Sequence, residues 1–407
     1  MKWINQLRLR TSYGEVGNDA GVSFYGYQAL YYIEKNGGDG ALMKQSLSAE
    51  YIKWETAQTI DVALEGRLFG RMNFSIGYFD KRNKDLLFAV RLPLSAGSFS
   101  YGDYINMTVN KNIGTIANRG WEISVDGDVY QTKNWLVNVG FDATFIKNKI
   151  IKLPNGDNIL SGSHNYTEGR SLYDFYTYHF EGVDQLTGRS LYTLDPAKKA
   201  TAQQQGELVT INGTDYTTDT AYGLRGFHGT AAPTVYGSVH GNVTWKDLSL
   251  SMLMTYSLGG KTMDYTYQSL MSVNSMDSGS ALHKDALKAW NGVPEGITET
   301  SANRIDRNGI PAMDYNLSSK NNATSDRWLT NASYLVMKNL SLSYSLPKNI
   351  LSGWEIGVNA LTFTAGVENL FTLTGRKGMN PQYSFTGGSD DTYVTARVWN
   401  FGLSVSF

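Results

Sequence analysis

Residues 121–145 read "WEISVDGDVYQTKNWLVNVGFDATF", and both halves of the stretch alternate. Trp121, Ile123, Val125 and Val129 face away from Glu122, Ser124, Asp126 and Asp128. After the polar break Thr132-Lys133-Asn134, Trp135, Val137, Val139, Phe141 and Phe145 interleave with Asn138, Gly140, Asp142 and Thr144. A period of two sends successive side chains to opposite faces of a strand. Two such strands joined by a short polar break predict an antiparallel hairpin with one apolar and one polar face. Strands of about ten residues exceed the five or six usual in soluble sheets.

The pattern recurs along the chain. Leu7 to Tyr13, Ile60 to Leu68, Met72 to Tyr78, Val235 to Trp245, Leu248 to Leu258, Tyr334 to Leu346, Leu361 to Val367 and Phe401 to Phe407 alternate in the same way. With the opening pair they make ten strands, nearly all long enough to cross a bilayer at a tilt. Their connections alternate too. Short ones lie around Phe69-Gly70-Arg71, Thr132-Lys133-Asn134, Lys246-Asp247, and Leu346 to Trp354; long polar ones cover about 14–53, 82–115, 148–232, 260–331 and 372–395. Tight turns at one end and large loops at the other predict an all-β, transmembrane antiparallel barrel with long extracellular loops and short periplasmic turns. Backbone groups in hydrocarbon must all be paired, so the outer face of such a sheet is apolar and the sheet closes. Trp135 and Trp245 beside short turns, with Trp121 and Tyr256 toward the long loops, are placed as interface aromatics.

At 407 residues the chain is long for one ordinary domain, and a single large sheet is the alternative to two domains. The net charge of −1 provides no basic field for nucleic acid. Tyr (26) outnumbers Phe (16), and Gly reaches 42 against 8 Pro, a balance suited to strands and turns. The absence of cysteine excludes disulfides, thiolate metal sites and a cysteine nucleophile. Mean hydropathy is −0.32, and no apolar run reaches the length of a transmembrane helix. The start, "MKWINQLRLRTSYG", has no apolar core of a secretory signal.

Motifs for catalysis are missing: there is no G-x-S-x-G and no H-E-x-x-H. The five histidines (His164, His179, His228, His240, His283) are scattered, and only His240 falls on a strand, on its polar face. No catalytic, cofactor or metal residue is therefore expected. "SLGGKT" (257–262) lacks the first glycine of a phosphate loop and ends a strand instead of opening a helix. The tyrosine-rich loop 160–232 and "SALHKDALKAW" (280–290) offer Tyr166, Tyr173, Tyr176, Tyr178 and Trp290 as substrate-binding candidates, because aromatic faces stack on sugars or peptide side chains. Packing of loops against each other explains the same residues equally well. The 280–290 stretch is expected to form a short amphipathic helix with Leu282, Ala286 and Trp290 on one side. Two other readings are a soluble lectin-like β protein and an outer-membrane barrel enzyme; the second needs a Ser-His pair that the sequence does not reveal.

Six segments carry a family resemblance: "LRLRTSYGEVGND" (7–19), "YIKWETAQTIDVALEGRLFGRMNFSIGYFDKRNKDLL" (51–87), "NIGTIANRGWEISVDGDV" (112–129), "YGSVHGNVTWKDLSLSMLMTYSLGGK" (236–261), "MKNLSLSYSLPKNIL" (337–351) and "GVENLFTLTGRKGMNPQ" (366–382). In order and spacing they resemble the SusC/RagA-type TonB-dependent outer-membrane transporters over essentially the whole chain. The resemblance implies a barrel of about 22 strands, of which residues 1–407 are the C-terminal part. The family's signal peptide, N-terminal extension, TonB box and plug domain are expected to lie outside it. Gly378-Met379-Asn380-Pro381-Gln382 stands where the family has Gly-x-Asp-Pro-Glu, with amides for both carboxylates. The resemblance further implies nutrient import, of an oligosaccharide or peptide, across the outer membrane of a Gram-negative bacterium. The implied partners are a SusD-like surface lipoprotein, the TonB complex, outer-membrane lipid and the barrel assembly machinery. It also gives the apolar end of the chain a role: Phe401, Leu403, Val405 and Phe407 form the assembly signal.

Overall fold

The computed structural model describes residues 3–19, 24–91, 100–101, 104–105, 108–273, 281–351, 353, 357–375, 380–382, 388 and 393–407. Ten long strands follow one another: β1 (Ile4–Asn18), β2 (Glu55–Leu68), β3 (Met72–Lys84), β4 (Thr115–Gln131), β5 (Trp135–Lys152), β6 (Val235–Trp245), β7 (Leu248–Leu258), β8 (Tyr334–Ser345), β9 (Ala360–Glu368) and β10 (Val398–Ser406). Each is hydrogen-bonded to the next in sequence, so the sheet is an uninterrupted meander. After a break at Asn369, whose φ is 51°, Thr372–Thr374 resumes beside the first residues of β8.

Turn chemistry marks the short end. Phe69 and Gly70 take φ of 53° and 70° between β2 and β3, and Lys246 takes 51° between β6 and β7. Positive φ matches the twist of two-residue hairpin turns, which is why glycine is favoured there. The chain contains two compact units, one built from 1–159, 166–172 and 237–251, the other from 160–165, 173–236 and 252–407.

In the first unit the cross-strand register brings the separate alternations into phase. Across β2–β5 the rows are Val62–Tyr78–Trp121–Phe145, Leu64–Ile76–Ile123–Ala143 and Gly66–Phe74–Val125–Phe141. Between them run Ala63–Gly77–Glu122–Thr144, Glu65–Ser75–Ser124–Asp142 and Arg67–Asn73–Asp126–Gly140. A slip of one residue at any pairing would mix the two sets. Val62, Leu64, Ile76, Trp121, Phe141 and Phe145 are all exposed, forming an apolar face that a soluble monomer does not present. On the polar face, Asp142 accepts hydrogen bonds from Ser124 and Ser238, each at 2.7 Å. His240 lies 3.6 Å from Asp126 and 3.8 Å from Asp142. Its ring covers Gly140, where an added Cβ would come within 2.0 Å of the imidazole.

The second unit repeats this arrangement in β8–β10, with Tyr344–Phe363–Leu403 as an apolar row and Ser345–Thr362–Ser404 as a polar one. Ser345 and Thr362 hydroxyls lie 3.0 Å apart on that polar side.

Four details differ from the sequence reading. β1 is longer than the Leu7–Tyr13 core, because its polar extensions follow the register of β2 out to Asn18. β4 carries a bulge between Asp128 and Tyr130, which puts Tyr130 opposite Val137. The connection from Leu346 continues to Asn359 and holds a one-turn helix, Lys348–Leu351. Residues 281–290 form only a five-residue 3₁₀ turn, Lys284–Lys288, since Ala289 returns to extended backbone.

The two faces can be tested directly, because the chain has no cysteine of its own. Single cysteines replacing Glu122, Asp142, Ser251 or Thr364 should react with a membrane-impermeant thiol reagent in the inserted protein. Cysteines replacing Val125, Phe141, Met252 or Phe363 should not. Equal labelling of the two sets would refute a lipid-facing apolar row.

Candidate functional site

Two of the long connections, which join β5 to β6 and β7 to β8, carry folded structure of their own. One small sheet runs Ile159–Ser161, His164–Tyr166, Asp174–Tyr178 and Arg225–Thr230; another contains Leu208–Ile211, Thr214–Thr217, Ser190–Thr193, Phe180–Asp184 and Ile305–Asp306. Phe175, Ala231, Met263, Met271 and Trp328 pack as a buried cluster, with Tyr173, Tyr267 and Ala286 against it. Large apolar groups buried in loops of this length explain why they are ordered.

Buried charge organises the rest of this loop body. Asp184 is fully buried and receives two bonds from Arg304, Nε to Oδ1 at 2.8 Å and an Nη to Oδ2 at 3.0 Å. The Leu186 amide and the Thr187 hydroxyl complete its shell. Burial acts to raise the Asp184 carboxyl, but the bonds from Arg304, Leu186 and Thr187 outweigh it and hold the group below its ordinary value. Glu207 shows the same balance: burial is outweighed by Lys320 at 2.5 Å, together with Thr218 and Arg189. Tyr192, buried against this network, has its hydroxyl pushed up to about 12 by burial.

The sign of these shifts sets an acid limit. A carboxylate whose folded pKa is depressed adds stability above its unfolded pKa, about 3.9 for Asp and about 4.3 for Glu. That stability is lost as pH falls through the folded value. The loop body should therefore keep its thermal stability from neutrality down to about pH 5 and lose it below about pH 4. Thermal melts in detergent, followed by near-ultraviolet circular dichroism, should show this, and Glu207→Gln should flatten the dependence. A profile unchanged between pH 7 and pH 3 would contradict it.

An open cleft of about 450 Å³ lies in the same unit, lined by Tyr265, Gln268, Ser269, Ser272, Ser318, Ser319, Asn322, Ala323 and Thr324. Its walls are held by Gln268, whose amide donates to the Asn322 carbonyl at 2.8 Å and to the Thr324 hydroxyl at 3.2 Å. Asp264 caps the helix Tyr265–Leu270 by accepting from the Tyr267 amide, which presents Tyr265 at the first helical position.

The aromatics singled out from sequence are placed elsewhere in the loop body. Tyr173 packs on the buried cluster, Tyr176 meets Phe227 at a tilt with ring centroids 4.8 Å apart, and Tyr178 lies under Arg225 at 4.6 Å. Tyr166 ends a short strand and is half-buried. Trp290 donates its indole N–H to the Gln185 carbonyl at 2.8 Å and covers Gly188. Lys261–Met263 of the "SLGGKT" stretch is a strand paired with Leu329–Asn331 rather than a phosphate loop. Of the candidate interface aromatics, Trp135 and Trp245 lie tilted against each other at 6.0 Å beside the short turns, and Trp3 and Phe69 stack at 6.2 Å. Trp121 contacts Tyr78 at 5.2 Å, and Tyr256 is half-buried near the end of β7. Tyr265 was missed because a single tyrosine between polar residues has no periodic signal.

A family model described as TonB dependent receptor-like, beta-barrel, matches residues 1–370. The chain belongs to this family. Its strands are therefore those of an outer-membrane β-barrel, and the family is one of receptors and transporters rather than enzymes. The chain is similar to TonB-dependent receptor P3 of Formosa agariphila, at 25% identity over 440 residues, covering 99% of this chain and 40% of that one. It is 24% identical over 426 residues to TonB-dependent receptor SusC of Bacteroides thetaiotaomicron, covering 99% and 38%. It thus spans about 40% of the length of these curated relatives. The structure of the RagAB peptide transporter shares the fold, with a TM-score of 0.74 at 22% identity over 100% of this chain and 41% of that one.

Proposed function

We propose that this chain is the C-terminal part of the barrel of an outer-membrane importer that takes up a neutral oligosaccharide or a peptide. The observation that carries the reading is the register of β2–β5, which separates an apolar outer face from a polar inner one without mixing. Among the described residues β1 pairs only with β2 and β10 only with β9. An open strand edge in lipid is costly, so these two strands pair with strands of the same barrel beyond residues 1–407. The plug and the TonB-contacting segment belong to that remainder, and TonB-driven movement of the plug moves the cargo. The long connections face outward and meet a SusD-like surface lipoprotein, and the chain works as a conduit without a catalytic step. Relatives named as a TonB-dependent receptor SusC and a RagAB peptide transporter support this reading. Insertion depends on lipid and on the barrel assembly machinery, which reads Phe401, Leu403, Val405 and Phe407.

Tyr265 and the hydroxyl- and amide-bearing cleft beside it form the substrate contact favoured by this geometry. Its lining residues carry no charged side chain, which suits a sugar better than a charged peptide. Cells lacking the gene should lose uptake of one class, oligosaccharide or peptide, and keep the other. Tyr265→Ala in the full-length protein should raise the substrate concentration needed for half-maximal uptake. Undiminished uptake of both classes by the deletion strain would overturn the proposal.

A further inference from the structure

Two of the histidines that look scattered in sequence converge in the loop body. His179 follows the strand Asp174–Tyr178, His228 lies in the strand Arg225–Thr230, and Asp326 opens the 3₁₀ turn Asp326–Trp328. Their rings stack at 5.4 Å and within 9° of parallel. The Nδ1 atoms of both turn toward the same carboxylate oxygen, Oδ2 of Asp326, with His228 at 3.2 Å and His179 in closer contact. One ligand atom from each of the three residues lies within 4.8 Å of the others.

We propose that His179, His228 and Asp326 form a three-ligand site for a divalent first-row cation, with zinc the best fit, that ties together the two long connections. Two imidazoles and one carboxylate are a borderline donor set that suits zinc, whereas magnesium and calcium take oxygen ligands. Metal–ligand bonds of about 2.0–2.1 Å in a tetrahedron separate the ligand atoms by roughly 3.3 Å. The His228–Asp326 separation already matches that edge.

The surroundings are those of a built site. Oδ1 of Asp326 accepts from the Phe180 amide at 2.8 Å, which leaves Oδ2 directed at the two imidazoles. Nε2 of His179 is 3.9 Å from Glu181, itself held by the Thr193 hydroxyl at 2.8 Å. At this distance the carboxylate acts on the imidazole through its charge and not through a hydrogen bond. Main-chain pairing fixes the three segments: Thr177 opposes Gly226, and Tyr178 bridges Ser325. Trp328, two residues after Asp326, is almost completely buried. His179 is nearly half exposed, which supplies a path for the ion and an open coordination position.

This inference does not depend on the import reading. The test uses the full chain in detergent, purified without a histidine tag and dialysed against EDTA. Titration with Zn²⁺ against a chromophoric indicator should show one tight equivalent, and Co²⁺ should give the visible absorption of a tetrahedral site. His179→Ala, at an exposed position, should weaken Zn²⁺ binding at least about tenfold with the near-ultraviolet spectrum unchanged. Asp326→Asn should do the same, and Glu181→Gln should weaken it less than either. His283→Ala, outside the cluster, should leave binding as it is. No stoichiometric uptake, or uptake that His179→Ala leaves unaltered, would reduce the cluster to a His–Asp–His hydrogen-bond network and overturn the proposal.

Discussion

Replacing Arg304 with methionine is expected to open the loop body. Methionine keeps the bulk of the arginine stem, so the change isolates the lost guanidinium. Asp184 would remain fully buried with only the Leu186 amide and the Thr187 hydroxyl as donors. Breaking a buried pair from one side costs about 3–5 kcal/mol, because the remaining charge is left uncompensated. Where opening is fast relative to cleavage, nicking by a protease follows the population of the open form, so the rate should rise roughly 10²–10⁴-fold. Removing both charges should cost less than removing one. In Asp184→Asn with Arg304→Met, the asparagine carbonyl still accepts from Leu186 and Thr187, and no ion is stranded. The double variant should therefore resist protease better than Arg304→Met alone. If the two single changes simply added, the pair would not be acting as a buried unit.

Asp184 and Arg304 also show where sequence reading stops. They are 120 residues apart, and neither lies in a pattern with a period. The strands were legible because a membrane sheet constrains every second residue over its whole length, and residues 121–145 alone display that rule twice. Alternation limits the register of β4 on β5 only to shifts of an even number of residues, and the pairing of Trp121, Ile123 and Val125 with Phe145, Ala143 and Phe141 is seen in the structure. The loops obey no such rule. Their order comes from contacts between distant segments: Trp328 and Phe175 in one buried cluster, Lys320 on Glu207, His179 and His228 on Asp326. Composition pointed to tyrosines as the visible feature of 160–232. In the structure Tyr173 and Tyr176 are spent on packing, whereas the open cleft is walled by serines, amides and Tyr265. The 280–290 stretch has a helical pattern of apolar residues, but Ala286 packs on the buried cluster while Trp290 is bonded to Gln185, and the helix ends after one turn.

The terminal strand gives the second large effect. In β10, Leu403 stands in the apolar row with Phe363 and Tyr344, and Ser404 stands in the polar row with Thr362 and Ser345. The two positions adjoin in sequence and belong to opposite faces. An arginine on the lipid face near mid-bilayer costs about 2–4 kcal/mol, falling to about 0–1 near the interface. In a full-length protein, Leu403→Arg should lower the denaturant resistance of the inserted barrel by about 2–4 kcal/mol. Ser404→Arg points into the wet interior, and its effect should stay within about 0.5 kcal/mol. Phe407 lies at the end of the chain, past the last paired residue, Ser406. On the proposal that the end of β10 lies at the barrel rim, a polar group there meets the interface and Phe407→Ser should leave inserted protein as stable as before. Its expected effect is on the yield and rate of insertion, read by following heat-modifiable mobility over time. The three variants separate recognition during assembly from stability in the bilayer. Equal damage from Leu403→Arg and Ser404→Arg would mean that the alternation in β10 does not divide lipid from lumen, and the apolar row across β8–β10 would need another explanation.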